Sequence, residues 1–285
     1  MTFSLKSRVS TVSTVRKAIF AGIAASVLAV SGMASAKTIK EGALSIGSDL
    51  TYPPYAYFEN KQPAGFDADF SRLMAEKMGL KADIIDTRFA DLVLGLRANR
   101  FDVVASALYV TPERAKLIDY VPYLKTGSSI IALSAGKHNP ATPADLCGLK
   151  VSNIRAASWR PKVLAVSDAV CKPAGKPGIE MLEYPTSPEA LMALKSGAVD
   201  VMMEDAAVSH QMARDMKGEI TVTSSELIYP IVIGLGVNQK NTELSDALKK
   251  ALESARASGE YQALLDKYGL GAPTEQEVAD ALKPR

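Results

Sequence analysis

The chain has 285 residues, 47% of them hydrophobic, and its 33 Lys and Arg against 31 Asp and Glu give a formal net charge of +2. This length and apolar content fit one large domain or two lobes with a buried core. Because basic and acidic residues nearly balance, the composition offers no positive surface for nucleic acid and argues against such a partner.

Residues 1–36 have the order of an export signal. Four basic side chains and no acidic one precede an apolar run at residues 18–30, and Ala34-Ser35-Ala36 follows as a small-residue cleavage site. The alternative is an uncleaved anchor, but the run is shorter than the roughly 20 residues that span a bilayer. We therefore expect cleavage after Ala36 and a periplasmic protein. The mature chain keeps 29 Lys and Arg against 31 Asp and Glu, a net charge of about −2.

Beyond residue 36, short apolar runs alternate with helical patterns, which is typical of an α/β protein. Strands are predicted at residues 43–46, 83–85, 101–105, 130–133, 150–154, 199–203 and 231–237. Helices are predicted at 68–78, from Ser187 as N-cap to Gly197, at about 242–258 and at 261–268. The polar tail after Gly271 is expected to pack loosely.

No flexible linker divides the mature chain, so two lobes would be tied by short crossing strands. Residues 125–130 and 226–231 are the predicted crossings, since each links otherwise complete βα groups. The predicted division is a first lobe at 37–128, a second lobe at 129–227, and a return to the first lobe at 228–285.

Cys147 and Cys171 are the only cysteines. In an exported chain an even pair predicts one disulfide, and closing a loop of about 25 residues would stabilise the fold by roughly 3–4 kcal/mol. The alternative is two buried free thiols. His138 and His210 stand alone without ligand spacing, so we expect no metal site and no cofactor.

Several short motifs follow one another in a fixed order. They are Tyr52-Pro53-Pro54-Tyr55 with Gly65-Phe66-Asp67-Ala68-Asp69, Phe101-Asp102-Val103-Val104, Thr111-Pro112-Glu113-Arg114, and Gly197-Ala198-Val199-Asp200 running to Asp205. In this order and spacing the chain resembles the polar-amino-acid class of periplasmic binding proteins that serve ABC importers. The histidine-, arginine- and glutamine-binding proteins belong to that class. The resemblance extends over nearly the whole mature chain.

The resemblance implies an α/β fold of two lobes, each a mixed, mostly parallel sheet flanked by helices, joined by two hinge strands. It also implies that a small polar amino-acid-like ligand is held between the lobes and delivered to the membrane permease of an ABC transporter. A monomer is expected.

Arg114 is the predicted partner of the ligand carboxylate. Thr111 as N-cap and Pro112 at N1 place this guanidinium beside the free N–H groups of a helix N-terminus, which suits an anion. The resemblance assigns the α-carboxylate to the same position. The alternative is a surface ion pair with Asp119 or Glu113.

Asp205 ends a predicted strand and begins a helical pattern. The resemblance places the ligand α-amino group on this carboxylate, while an ordinary helix N-cap is the alternative, and both can hold for one residue. The rings of Tyr52 and Phe89 match positions that sandwich the ligand side chain, with lobe core as the alternative. Asp49 matches a carboxylate that meets basic side chains, or is a solvated loop residue.

Some residues depart from the family pattern. Tyr109 and Ala107 replace hydroxyl residues of the carboxylate cradle, and Ala157 lies in a turn that usually contains Gly and Thr. Because Ala adopts positive φ less easily than Gly, we expect this turn to differ in detail, with Ser158 capping the helix that follows. Arg155 either faces the ligand, disfavouring cationic amino acids, or points to solvent.

Hinge closure without chemistry is the leading interpretation of the function. The alternative is a periplasmic lyase on the same scaffold, since cyclohexadienyl dehydratases resemble this family. A lyase needs a proton donor in the cleft, and Glu204 is the one nearby acid without a binding role. Alternation along the strand predicts that Glu204 points away from Asp205.

Overall fold

A computed structural model describes residues 37–283 of the chain. The predicted export signal at residues 1–36 lies outside the described residues. Within 37–283, no helix has the length and apolar character needed to cross a membrane.

Nine strands form one continuous mixed sheet. These are β1 Ala43–Ser48, β5 Lys81–Asp86, β6 Val103–Val104, β7 Asp119–Leu133, β8 Lys150–Ile154, β9 Glu180–Tyr184, β10 Val201–Asp205, β11 Ile220–Val222 and β12 Ile228–Val237. Their order in the sheet is β5-β1-β6-β12-β7-β10-β8-β9, and β11 pairs with β7 outside this order. A small antiparallel sheet is formed by β2 Thr51–Tyr52, β3 Ala56–Glu59 and β4 Gln62–Ala64.

The pairing directions divide the large sheet into two parallel groups joined at the centre. Strands β5, β1 and β6 are parallel, and so are β10, β8 and β9. Between the groups, β7 and β12 pair antiparallel from Asp119 opposite Val237 to Ser128 opposite Ile228. The α/β fold of two lobes joined by two strands is thus confirmed, whereas the lobe boundaries at 128 and 227 stay predictions.

Nine α-helices flank the strands in the part of the chain that the structure describes. They are α1 Phe66–Lys77, α2 Leu92–Arg97, α3 Pro112–Ala115, α4 Arg160–Val166, α5 Ser187–Lys195, α6 Ala206–Asp215, α7 Thr242–Ala257, α8 Glu260–Tyr268 and α9 Glu275–Leu282. Helix α5 begins one residue away from the predicted cap. Its N-cap is Thr186, whose side chain accepts from the Glu189 N–H while the Glu189 carboxylate accepts from Thr186. The predicted N-cap Ser187 is therefore the first helical residue.

The C-terminal tail forms a helix that its polar sequence did not predict, but no residue of this helix is buried, in keeping with the expected loose packing. Thr274 and Glu277 form a capping box that starts α9, and the Glu277 carboxylate lies 3.4 Å from Lys125 Nζ. Ala281 packs against a buried cluster that includes Phe101. The last helix is thus α9 and not α8.

A disulfide joins Cys147 to Cys171, with the two Cα atoms 5.4 Å apart. It links the turn before β8 to the end of the helical segment that continues α4. The predicted bridge is present, and the alternative of two free thiols is wrong.

Candidate functional site

A small cavity lies between the two parallel groups of strands. Its volume is about 10 Å³, which is the room for roughly one water molecule. The lining residues are Tyr52, Phe89, Ala107, Tyr109, Arg114, Ile154, Ala157, Ser158 and Trp159. The structure therefore brings six predicted site residues to one place, and a ligand of amino-acid size requires this cleft to widen.

Arg114 forms one wall of the cavity. The Thr111 side chain caps the short helix α3 by accepting from the Arg114 N–H at 3.3 Å. The guanidinium donates to the carbonyl oxygens of Tyr109 at 3.1 Å and Ala156 at 3.0 Å, and it lies 5.4 Å from the centroid of the Phe89 ring. Burial lowers the pKa of Arg114 below its ordinary value. The two backbone carbonyls and the Phe89 ring thus fix a guanidinium with further donors at the cavity wall.

Asp205 lies behind the cavity and is not among its lining residues. It is buried at the N-terminus of α6, where one carboxylate oxygen accepts from the N–H groups of Ala207 at 2.9 Å and Val208 at 3.3 Å. The other accepts from the hydroxyls of Tyr109 at 2.6 Å and Thr126 at 2.9 Å. A carboxylate has about four lone-pair positions, so all of them are used. Burial raises the pKa of Asp205 although these hydrogen bonds lower it.

Tyr109 fills the space between Asp205 and the cavity. Its ring centroid is 5.8 Å from that of Trp159, and its carbonyl oxygen accepts from Arg114. The position that usually has Ser or Thr in the family thus contributes a hydroxyl after all, but through a ring that reaches Asp205. This contact joins residues 96 positions apart, and neither the pattern around Tyr109 nor that around Asp205 predicts it.

Glu204 lies at the hydroxyl end of the Tyr52 side chain, outside the cavity lining. It accepts from the Tyr52 hydroxyl at 2.6 Å, from the Asp205 N–H at 2.9 Å and from the Ser187 hydroxyl. Burial raises the pKa of Glu204 to about 7, although these donors act against the shift. Together with Tyr109–Asp205 and Arg114–Ala156, the Tyr52–Glu204 hydrogen bond connects residues predicted for different lobes. Each of these three contacts bridges the cleft.

Besides Asp205, two further predicted site residues lie outside the cavity lining. Asp49 is buried, forms a 2.9 Å ion pair with Arg88 and accepts from the Phe89 N–H at 2.8 Å and the Thr51 hydroxyl at 2.7 Å. Asp49 is therefore neither a solvated loop residue nor part of the cavity lining. Its hydrogen bond from the Phe89 N–H fixes the backbone that presents the Phe89 ring. Arg155 is exposed and is not among the lining residues, so the structure agrees with its solvent-facing alternative.

The turn after β8 keeps a left-handed backbone despite its alanines. Ala156 has a φ of 64°, and its carbonyl accepts from Arg114. The expectation that Ala would avoid positive φ here is therefore wrong at Ala156. Ser158 lines the cavity but does not cap α4, whose N-cap is Trp159 without a side-chain hydrogen bond. The predicted capping role of Ser158 is thus also wrong.

The chain thus has a cleft between two sheet halves that share an antiparallel strand pair, with a partly buried cation in its wall, which is the architecture of a binding protein of two lobes. The sequence confirms this class. Residues 44–271 match the bacterial extracellular solute-binding proteins, family 3, and the chain belongs to this family.

Two relatives of the chain are named for amino-acid binding. The histidine-binding periplasmic protein of Salmonella typhimurium is 24% identical over 260 residues, covering 85% of this chain and 93% of its own. The L-arginine-binding protein of Pseudomonas aeruginosa is 25% identical over 266 residues, covering 88% of this chain and 95% of its own.

Solved structures show the same fold. An ancestral arginine-binding protein bound to arginine superimposes with a TM-score of 0.72 and 27% identity, covering 80% of this chain and 98% of its own. An ancestral amino acid-binding protein described as a precursor of cyclohexadienyl dehydratase has a TM-score of 0.70 and 23% identity. The superposition covers 80% of this chain and 95% of the ancestral protein. The second similarity extends to the fold alone.

Proposed function

We propose that this chain is the periplasmic substrate-binding component of an ABC importer for a polar amino acid or amino-acid derivative. The observation that carries the proposal is the partly buried Arg114 guanidinium in the wall of a cleft between two sheet halves. The names of the relatives support an amino-acid ligand and a periplasmic location. A monomer, a signal peptide cleaved after Ala36 and a membrane permease as partner belong to the same proposal.

Arg114 and Asp205 hold the two charged groups of the ligand in this proposal. The Arg114 fork binds the α-carboxylate, and Asp205 accepts from the α-ammonium. Tyr52 and Phe89 pack on the side chain, Ala107 and Ser158 shape the cavity, and Asp49 holds Phe89 in place. Contacts from both sides of the cleft favour the closed state, which the permease recognises.

Ammonium binding at Asp205 requires an exchange of hydrogen bonds. Since all four lone-pair positions of the carboxylate have donors, the ligand has to displace one of them. The Tyr109 hydroxyl is the donor nearest to the cavity, because Tyr109 lines it and Thr126 does not. We infer that the ligand ammonium replaces the Tyr109 hydroxyl.

Calorimetry with a panel of common L-amino acids and their acidic and amide derivatives tests the proposed function. At least one member should give saturable heat and a rise in unfolding temperature, because a ligand that binds only the folded state stabilises it. Neither heat nor a thermal shift from any member would contradict an amino-acid ligand.

Tyr109→Phe should strengthen binding of the best panel ligand by about tenfold. In the wild type the Tyr109 hydroxyl has to give up its hydrogen bond to Asp205, at a cost of roughly 1.5–3 kcal/mol, before the ligand ammonium can bind this carboxylate. The variant has no such hydrogen bond to give up. Tyr268→Phe is the control, because it removes a similar 2.8 Å bond to Asp69 from a residue outside the cavity lining. Weaker binding by Tyr109→Phe alone would show that the hydroxyl assists the ligand.

The lyase alternative requires a proton donor that faces the ligand. Glu204 has a pKa of about 7, but it is not among the lining residues, none of which is a carboxylic acid. Binding without chemistry is therefore the proposal that these contacts support best. Measurable turnover of prephenate would contradict it.

A further inference from the structure

Trp159 has a buried hydrogen-bond donor that no group uses. The side chain is 4% exposed and lines the same cavity as Arg114, and its indole Nε1 has no hydrogen-bond partner among the described residues. A buried donor without an acceptor costs about 1–3 kcal/mol, and buried indole N–H groups usually have partners. A residue that lines the cavity thus carries a donor without a partner, which a ligand acceptor would satisfy when the cleft widens.

The cavity wall has no negatively charged group to meet a cation. Its lining residues include no carboxylate. The buried acids nearby are engaged elsewhere: Asp205 by four donors, Glu204 by Tyr52, Ser187 and a backbone N–H, and Asp49 by Arg88 and the Phe89 N–H. A cationic ligand side chain would therefore lose its hydration beside Arg114 without gaining a counter-ion.

We propose that the Trp159 indole N–H binds an oxygen acceptor on the ligand side chain and selects carboxylate- or amide-bearing amino acids over basic ones. This inference rests on the proposed function and specifies its ligand class. Arg114 binds one end of the ligand as its carboxylate, and Trp159 binds the other end as a carbonyl or carboxylate oxygen. Trp159 is then a specificity residue.

The surroundings of Trp159 suit this role. The residue follows the left-handed turn at Ala156, so the turn that supplies an acceptor to Arg114 also places the indole. Its ring packs against that of Tyr109, and its carbonyl accepts from the Val163 N–H at 3.0 Å. Because helix α4 begins directly after it, the backbone of the donor is fixed.

Calorimetry on wild type and Trp159→Phe, with L-glutamine, L-aspartate, L-norleucine and L-arginine as probes, tests the inference. Phe keeps an aromatic ring and removes the donor. We expect the variant to lose about tenfold in affinity for whichever acceptor-bearing probe binds best, the equivalent of one hydrogen bond. Its affinity for L-norleucine, which has no side-chain acceptor, should change by less than about threefold. L-arginine should be the weakest of the probes.

A second measurement needs no variant. Trp159 is the only tryptophan, so the protein has a single indole N–H resonance, and the best acceptor-bearing probe should shift it downfield and slow its exchange with solvent. Equal losses for all probes, an unmoved resonance or tightest binding of L-arginine would overturn the Trp159 assignment and leave amino-acid binding intact. Binding of none of the probes or of the wider panel would overturn both proposals.

Discussion

Arg114→Ala is expected to weaken ligand binding by about 2–5 kcal/mol, or roughly 30- to 5,000-fold. The loss is large because the ligand carboxylate would be buried beside the Phe89 ring with no cation to meet it. The Ala156 carbonyl would also lose its Arg114 donor, and the Tyr109 carbonyl would lose one donor while keeping the Tyr120 hydroxyl at 3.3 Å. Titration calorimetry with the best panel ligand measures the change.

Two arginine variants make this prediction specific. Arg155→Ala removes an exposed guanidinium that does not line the cavity, so affinity should stay within about twofold of wild type. Arg114→Lys keeps the charge but not the fork of donors, and an intermediate loss is expected. A loss below about 0.5 kcal/mol in Arg114→Ala would remove this residue from the binding site.

Stability should fall by several kcal/mol as the pH rises from about 4.5 to about 7. Burial raises the pKa values of Asp67 and Glu204 to about 7, so both keep protons in the folded state that the unfolded chain releases. Where the unfolded state binds fewer protons, the free energy of unfolding decreases with rising pH. One pKa unit corresponds to 1.36 kcal/mol, so Glu204 contributes about 3 kcal/mol and Asp67 about 4 kcal/mol, present at low pH and lost above about pH 7.

Urea unfolding in steps from about pH 5 to about pH 8 measures this slope. Glu204→Gln keeps an acceptor for the Tyr52 hydroxyl and removes one of the two carboxyl groups that hold a proton in the folded state. The decrease of the free energy of unfolding with pH should therefore become about half as steep. Glu253→Gln, which changes an exposed residue of α7, is the control and should leave the profile as in wild type. A free energy of unfolding that is flat or increasing over this range would contradict the buried, protonated state of the two carboxyls.

The apolar pattern of the sequence predicted the bounds of a strand correctly where a turn directly follows the apolar run. The predicted strand at 150–154 matches β8 at both ends, because the turn at Ala156 follows directly. Strand β7 instead runs for 15 residues, and its apolar pattern is interrupted at Pro122 and again at residues 125–129, which are Lys, Thr, Gly, Ser and Ser. Its length depends on pairing with β12, more than 90 positions away in sequence. The predicted strand at 130–133 therefore covers only its end.

The site was predicted where one segment contains the whole motif. Thr111 and Arg114 lie three positions apart, and their capping geometry follows from that spacing. Asp205 is the N-cap of α6, as one of the two hypotheses stated, but its use by Tyr109 and Thr126 depends on long-range contacts. The Thr186-to-Glu189 spacing is a capping box that would have given the true start of α5.

The strand pair β7–β12 sets how the cleft can move. Its backbone hydrogen bonds run from Asp119 to Ser128, and both parallel groups are attached to it directly. A motion that keeps these bonds can only turn one half of the sheet against the other about an axis through the pair. Opening of the cleft is then described by one angle of rotation between the two sheet halves. The width of the cleft and the spacing of the two outer surfaces change together with this angle.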